Sequence, residues 1–488
     1  MDAPGLLIAS NRGPVSYVQD EAGRLVERRG AGGLVSALSG RPEPTSGPTS
    51  GPTAGPTSEP TSEPMLWLCA ALSDGDRTAA RAGLLPAGVQ MLEHDPVTFE
   101  RAYNGVANGA LWFVAHLLHD LSRSPSFDIR SQREWAAYTA YDATFAEALA
   151  DAAAPGARVL VQDYHLSLTP RQLRALRPDL RIGHFTHTPW APPEVFRVLP
   201  DEVVHDLLTG LLGADAVGFH SPRWADAFTR CCTSLLGAAG VDGGVSYEGR
   251  VTRVGVHPLG VDRAELRARA ERLDVLGRRA GVQALVGDRQ LLLRIDRTEL
   301  SKNIVRGLHA YRELLRLWPE HRGRVVHLAF AYPSRHDLPE YREYTAAVQR
   351  VAREVNEEFA TADWLPVHLE VADDYPRSLA AYALADVLLV NPVRDGMNLV
   401  AKEGPVLSAD GVVLVLSREA GAADELGAEA LLVNPFDVGQ TAAALHEALV
   451  MAPQERQSRS VRLAAAATAL PPAAWLAAQL AALPTDRS

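Results

Sequence analysis

Residues 387–403 read VLLVNPVRDGMNLVAKE. The aliphatic run Val387–Val390 has no polar alternation, the pattern of a strand buried on both faces of a parallel sheet. Polar, turn-forming residues follow it, and helix-forming residues follow those. Runs of the same kind recur at Leu6–Ser10, Arg158–Gln162, Arg181–Phe185, Ala216–His220, Val251–Val256, Gln290–Ile295, Arg324–Phe330, His368–Val371, Val412–Leu416 and Ala430–Val433. Strands alternating with longer helical stretches point to an α/β chain. The 488 residues exceed the roughly 250–300 over which a single core grows. Two doubly wound halves therefore fit better than one barrel. The break is expected near Leu259, after a strand that ends in HPLGVD, with an amphipathic helix restarting over Leu266–Arg279.

Composition narrows the function. The chain is 47% hydrophobic and 22% charged, with a net charge of −11. That balance argues against a nucleic-acid or anionic-membrane binder, while leaving room for local phosphate pockets. The cysteines Cys69, Cys231 and Cys232 lack metal-ligand spacing and are too few to staple a chain this long. The N-terminal residues lack a secretory pattern, and the Ala-rich stretch Leu463–Leu483 is broken by Pro471-Pro472, so a cytoplasmic protein without a membrane span is expected. Residues 41–64, RPEPTSGPTSGPTAGPTSEPTSEP, have nothing to bury and read as a disordered insertion. Of 48 basic residues only Lys302 and Lys402 are lysines. A compact ammonium surviving in so Arg-biased a chain suggests a task that a wide guanidinium cannot perform.

In open parallel sheets ligands sit beyond the carboxyl ends of the strands, so the residues just after the strands carry the chemistry. Ser10-Asn11-Arg12, followed by Gly30-Ala31-Gly32-Gly33 and a helix from Leu34, would let backbone amides approach a phosphate. Gln162-Asp163-Tyr164-His165 and His187-Thr188-Pro189-Trp190 offer a carboxylate for sugar hydroxyls and rings for sugar faces. The segment Arg294–Asn303, with Arg297 and Lys302, and Arg335 after the next strand place cations where a diphosphate would be held. Around Gly396 consecutive amides would open a helix onto an anion. Glu403, about two turns into that helix, would reach a ribose diol. Metal-ligand spacing, Walker A and nucleophile-elbow motifs are absent from the sequence.

These strings together, RDGMNLVAKE, SNR, AGG, DYHL, the H-x-P turn, the R-x-x-x-x-SK loop and SREAGAADEL at 417–426, resemble the trehalose-6-phosphate synthases, retaining nucleotide-sugar glycosyltransferases of GT-B architecture. The resemblance covers nearly the whole chain outside 41–64. It implies two Rossmann-like doubly wound parallel-sheet domains facing across a cleft: 1–258 for the acceptor, 259–460 for the nucleotide sugar, and 461–488 crossing back, with Trp475 on the crossing helix at Pro472–Leu483. The implied reaction moves glucose, with retention, from UDP-, GDP- or ADP-glucose to glucose 6-phosphate, giving α,α-trehalose 6-phosphate, with no metal or cofactor. Arg12, Tyr103, Trp112 and Arg335 would hold the acceptor phosphate, and Asp163 the acceptor hydroxyls. His187, Asp395 and the amides of Gly396, Met397 and Asn398, continuing into Leu399 and Val400, would surround the donor sugar. Arg297 and Lys302 would clamp the diphosphate, Glu403 the ribose, and Gly32 the loop closing over the donor. Asp163, His187, Arg297, Lys302 and Asp395 would form the catalytic set. The implied partners are small molecules, not nucleic acid or membrane, and a homo-oligomer is left open. The family's usual HDYHL and HIPFP are QDYHL and HTPWA here, and Trp190 is expected to add bulk near the sugars. A cyclitol-joining pseudoglycosyltransferase would alter the DGMNLVAKE string, and an inactive sugar-phosphate sensor would lose the clamp cations; this chain has both.

Overall fold

The computed structural model describes residues 3–20, 23–29, 65–335 and 338–485. Gly32, the 30–33 glycine turn, the helix expected from Leu34 and the 41–64 repeat lie outside the described residues. The strands in chain order are β1 Leu6–Ser10, β2 Val15–Gln19, β3 Leu25–Arg29, β4 Met65–Ala70, β5 Val89–Leu92, β6 Arg158–Gln162, β7 Arg181–Thr186, β8 Ala216–Phe219, β9 Ala239–Val241, β10 Gly244–Tyr247 and β11 Arg250–Val256. They continue with β12 Gln290–Arg297, β13 Val325–Tyr332, β14 Val367–Glu370, β15 Val387–Val390, β16 Val413–Ser417 and β17 Leu431–Val433. All eleven expected strands are present within two residues of their expected ends. The chain adds β2 to β5, β9 and β10 to them.

The strands make two large sheets. One runs β5-β4-β1-β6-β7-β8-β11-β10-β9 and the other β14-β13-β12-β15-β16-β17. Through its first six strands the former, and along its whole width the latter, repeats the order 3-2-1-4-5-6 of the doubly wound dinucleotide fold. Each sheet therefore has one point where the winding reverses, between β1 and β6 and between β12 and β15. At those points adjacent loops leave in opposite directions and open a crevice at the strand ends. Ser10-Asn11-Arg12 and Asp163 lie at the first point, and Arg297–Lys302 and Asn391–Asn398 at the second.

The central strands are buried along their length, as their unalternated sequences require. The helix Ile129–Ala152 pins the first crevice from behind. Its Tyr138 hydroxyl donates to the Tyr164 carbonyl (2.6 Å) and its Tyr141 hydroxyl to Asn11 Oδ1 (2.7 Å). The expected helix Leu266–Arg279 is two helices, Arg263–Ala270 and Leu273–Val286. Arg272 adopts an extended conformation between them, so the charged Glu271-Arg272 corner turns the chain. After the helix Pro453–Ala467 has packed on the second sheet's core, the chain turns at Pro471, and the helix Pro472–Ala481 lies against the first sheet. Trp475 is fully buried there, donating from Nε1 to the His257 carbonyl (3.0 Å). Among the described residues no single helix is long and apolar enough to cross a membrane. The three cysteines are buried free thiols.

Candidate active site

Six non-glycine residues among those described hold a positive φ, and Asp163, Asn303, Arg335 and Asn398 are four of them. Left-handed backbone is costly for such residues, and it persists where surrounding contacts over-determine it, as at functional sites. All four sit just past the carboxyl ends of strands, at the mouth of the crevice between the two sheets.

Two cationic centres face each other there. In the first, Arg12 Nη2 donates to the Tyr103 hydroxyl (3.3 Å). Arg335 crosses from the second sheet, donating to the hydroxyls of Tyr341 (2.6 Å) and Tyr164 (3.3 Å) with its guanidinium 4.1 Å from the Trp112 ring centroid. Burial pushes the Tyr103 phenol up, but Arg12 and Arg335 together outweigh it and hold it below its usual range. Burial, reinforced by the same two arginines, keeps His165 neutral, so its 3.9 Å approach to Asp163 is not an ion pair. Asp163 itself is raised to about 6 by burial, against the amides of Tyr164 and His187 and the charge of Arg335.

The second centre is built on the ends of β12 and β15. Lys302 Nζ lies 2.6 Å from Asp395 Oδ2, with both side chains 16% exposed. Burial opposes the ammonium, yet the carboxylates of Asp395, Asp296 and Glu299 raise its pKa above the ordinary lysine value. Asp395 is likewise lowered despite burial, chiefly by Lys302, so the pair is ionised on both sides. Glu299 is fully buried and held at about 2 because Arg297, Arg335 and Lys302 outweigh its desolvation. Arg297 reaches Glu299 at 3.2 Å and leaves half its side chain exposed at the crevice. The two centres are continuous. His116 stacks on Trp112 with centroids 3.9 Å apart and feels the charges of Asp395, Glu299 and Lys302, while Glu299 also feels Arg335.

The Gly396 turn closes the site against the first sheet. A Cβ on Gly396 would overlap the His187 carbonyl, so only glycine allows this approach. Trp224 Nε1 donates to the Gly396 carbonyl (3.0 Å), and Arg394 donates across to the Trp190 carbonyl (2.9 Å). The helix after the turn begins only at Val400, because Asn398 has φ 85° and its Oδ1 accepts from the Ala401 amide (3.1 Å). Glu403 therefore sits in the first helical turn, not two turns in. The amides of Gly396, Met397 and Asn398 precede the helix, and Leu399 stands at its N-cap. Glu403 accepts from the Tyr382 hydroxyl (3.0 Å), and burial raises its pKa to about 7.

One further expectation is corrected. Trp190 adds no bulk beside the crevice: its ring is buried against Phe196, Phe219 and Phe228, and its Nε1 donates to Cys231 Sγ (3.4 Å). That aromatic pocket in the first core takes the indole. Both nitrogens of the partly buried His187 ring are engaged, Nε2 meeting the Gln162 side-chain amide (3.0 Å) and Nδ1 meeting His220 Nε2 (3.1 Å). What His187 presents forward is its peptide, the N–H donating to Asp163 Oδ1 (3.1 Å).

The sequence reading missed Tyr164, Glu299 and Tyr341 as site residues. Glu299 stood inside a quoted string without a role, and Tyr164 only among the rings offered to sugar faces. Tyr341, nine residues beyond β13, carried no signal. Lys402, the other lysine, is structural, its buried Nζ donating to the Leu259 carbonyl (2.8 Å) and pairing with Glu425.

The sequence pattern of glycosyltransferase family 20 matches residues 8–484. The chain is 34% identical over 461 residues to a bifunctional trehalose-6-phosphate synthase/phosphatase from Thermoproteus tenax, covering 94% of this chain and 60% of that protein. It thus spans less than two thirds of that relative's length. An E. coli trehalose-6-phosphate structure bound with UDP-2-fluoro glucose superposes with a TM-score of 0.82 at 26% identity, covering 99% of this chain and all of that one. A UDP-forming α,α-trehalose-phosphate synthase from Burkholderia xenovorans in complex with glucose-6-phosphate gives 0.81 at 26% identity, over 98% and 99% of the two chains.

Proposed function

Taking as premise that the chain belongs to glycosyltransferase family 20, we propose that it is an α,α-trehalose-phosphate synthase, transferring glucose with retention from UDP-glucose to glucose 6-phosphate. The carrying observation is the pair of cationic centres, Arg12 with Arg335 and Arg297 with Lys302, linked through Trp112 and His116 in one crevice. Two separately phosphorylated sugars need two such centres within a disaccharide's span. The choice of uridine rests on the E. coli and Burkholderia relatives, both described with uridine nucleotides.

In this reading Arg12, Arg335 and Tyr103 hold the acceptor phosphate over the Trp112 face, and Asp163 accepts from acceptor hydroxyls. Binding at that remote phosphate orients the anomeric hydroxyl, so part of the barrier is met by placement. The donor sugar lies against Asp395 and the Gly396–Asn398 amides, and Glu403 takes the ribose diol. As the bond from the donor anomeric carbon to the diphosphate breaks, negative charge grows on the leaving oxygens. Lys302, held by Asp395, and Arg297, half exposed, are positioned to meet that charge. Attack from the departing group's own face lets the leaving phosphate oxygen accept the proton of the incoming anomeric hydroxyl. The new bond then forms with retained configuration, and no protein base is required.

The test is a donor panel. Purified protein with glucose 6-phosphate and UDP-, GDP- or ADP-glucose should release nucleoside diphosphate and a non-reducing disaccharide phosphate with two α-configured anomeric carbons by NMR, fastest with UDP-glucose. Absence of turnover with all three would refute the proposal, and a faster rate with another donor would refute the choice of base.

A further inference from the structure

A line of buried and partly buried polar groups runs from the crossing helix to the crevice. The Gln479 side-chain amide lies 3.3 Å from that of Gln162, which meets His187 Nε2 at 3.0 Å. His187 Nδ1 meets His220 Nε2 at 3.1 Å, and His220 Nδ1 faces the His257 carbonyl at 3.4 Å. Phe185 and Trp475 wall the line, with ring centroids 4.9 and 5.6 Å from that of His187. From these contacts we infer that Gln162 and Gln479 are positioning residues for the transfer, fixing the His187 ring and thereby the His187 peptide between Asp163 and the Gly396 turn. The inference rests on the synthase reading and goes beyond it, since neither glutamine touches the expected substrates.

The direction of the line follows from its end. A carbonyl only accepts, so His220 carries its proton on Nδ1 and offers a lone pair at Nε2. His187 then donates from Nδ1 and needs a donor at Nε2. Burial keeps both rings neutral, His220 at about 3 and His187 far below its usual value, so a second ring proton does not alter this order. The donor at Nε2 is the Gln162 amide nitrogen, and the Gln162 oxygen then turns to the Gln479 nitrogen. Oxygen and nitrogen of an amide are equivalent in shape, so hydrogen bonding decides the orientation. With both amides the other way round the Gln479 nitrogen is buried without an acceptor among the described residues. In the direction chosen only the Gln479 oxygen is left open, beside a cavity of about 200 Å³ that also borders His257, roomy enough for water.

The consequence reaches the reaction through the backbone. The His187 N–H holds Asp163 Oδ1, and its carbonyl is the group against which Gly396 packs. Letting the ring swing tilts that peptide and displaces the acceptor carboxylate and the donor loop together. A misplacement of about 1 Å costs up to 10²-fold in rate.

The experiment compares Gln162→Leu, Gln479→Leu and Gln162→His in the full chain with the parent. Both leucine variants should lower kcat roughly tenfold or more while each KM stays within about twofold, because positioning rather than ground-state binding is lost. Gln162→His keeps a ring N–H at that place and should recover kcat to within about threefold. Leucine variants that melt like the parent and keep kcat within twofold would overturn the inference, as would a histidine variant as impaired as Gln162→Leu. A second readout does not need turnover: imidazole ¹⁵N shifts should show the His187 proton on Nδ1 in the parent, and a proton on Nε2 would overturn the inference. A parent without turnover but with the Nδ1 tautomer would sink the synthase reading and leave the hydrogen-bond order standing.

Discussion

Lys302→Met removes a charge while keeping nearly the same side-chain length. At 2.6 Å from Asp395 and an effective dielectric near 20, the ion pair is worth about 6 kcal/mol of attraction before desolvation is subtracted. Stripping one partner from a buried pair costs about 3–5 kcal/mol while the other stays ionised. Asp395 will escape part of that by taking up a proton, so a stability loss of about 2–3 kcal/mol is expected. Activity should fall further. Losing one group that meets charge developing in the transition state costs ~10²–10³ in kcat. Lys302→Met/Asp395→Asn should recover most of the stability, because neither charge is then orphaned, yet none of the activity. Lys302→Arg keeps the charge but brings a planar fork into a site fitted to a point donor, and about a tenfold loss is expected. The assays are steady-state nucleoside diphosphate release at saturating substrates and thermal melting by circular dichroism. A Lys302→Met enzyme with kcat/KM within threefold of the parent would refute the diphosphate role. Full recovery of activity in the double variant would refute the reasoning about charge.

Three other perturbations separate site from scaffold. Arg335→Lys loses the stacking on Trp112 and the paired donors to Tyr341 and Tyr164; the Kd for glucose 6-phosphate by calorimetry should rise about tenfold or more with that for UDP little changed, and an unmoved Kd would contradict the acceptor role. Asp142, whose Oδ2 has no partner among the described residues, is raised by burial to about 8, so the folded protein keeps a proton that the unfolded chain releases near 4. Its contribution to stability therefore declines as pH climbs through that window, and Asp142→Asn should lose less stability between pH 5 and pH 8 than the parent, by about 1 kcal/mol or more; parallel denaturation curves would contradict it. Lys402→Met strands Glu425 and the Leu259 carbonyl and should cost about 2–4 kcal/mol of stability, while the folded fraction keeps kcat/KM within about threefold; an intact melting temperature would contradict it.

Most of the strands visible in the sequence are buried on both faces, such as VLLV at β15 and LLIAS at β1. Their unbroken apolar character owes little to distant partners. The missed strands depend on tertiary context. β9 and β10 are short, glycine-containing and at one end of the sheet, with β9 on its edge, and among the described residues β2 and β3 pair only with each other. β4, MLWLCA, is apolar enough but follows the Pro-Thr-Ser-Gly repeat directly and finds its place only between β1 and β5. The site was largely legible because function gathers at strand ends, where turn chemistry interrupts hydrophobic runs: Arg12, Asp163, Lys302, Arg335 and Asp395 do converge there. Side-chain neighbours far apart in the chain were not legible. Nothing local marks Gln479 as the partner of Gln162, 317 residues away, or tells that Trp190 turns into the core.

The most direct test of two phosphate-binding centres in one crevice is a crystal structure of the protein with glucose 6-phosphate and UDP. The acceptor phosphate should lie within hydrogen-bond distance of Arg12 and Arg335, and the diphosphate on Lys302 and Arg297, with the acceptor's anomeric oxygen turned toward the diphosphate. Either phosphate group seated elsewhere, or both ligands competing for a single centre, would contradict the proposal at its base.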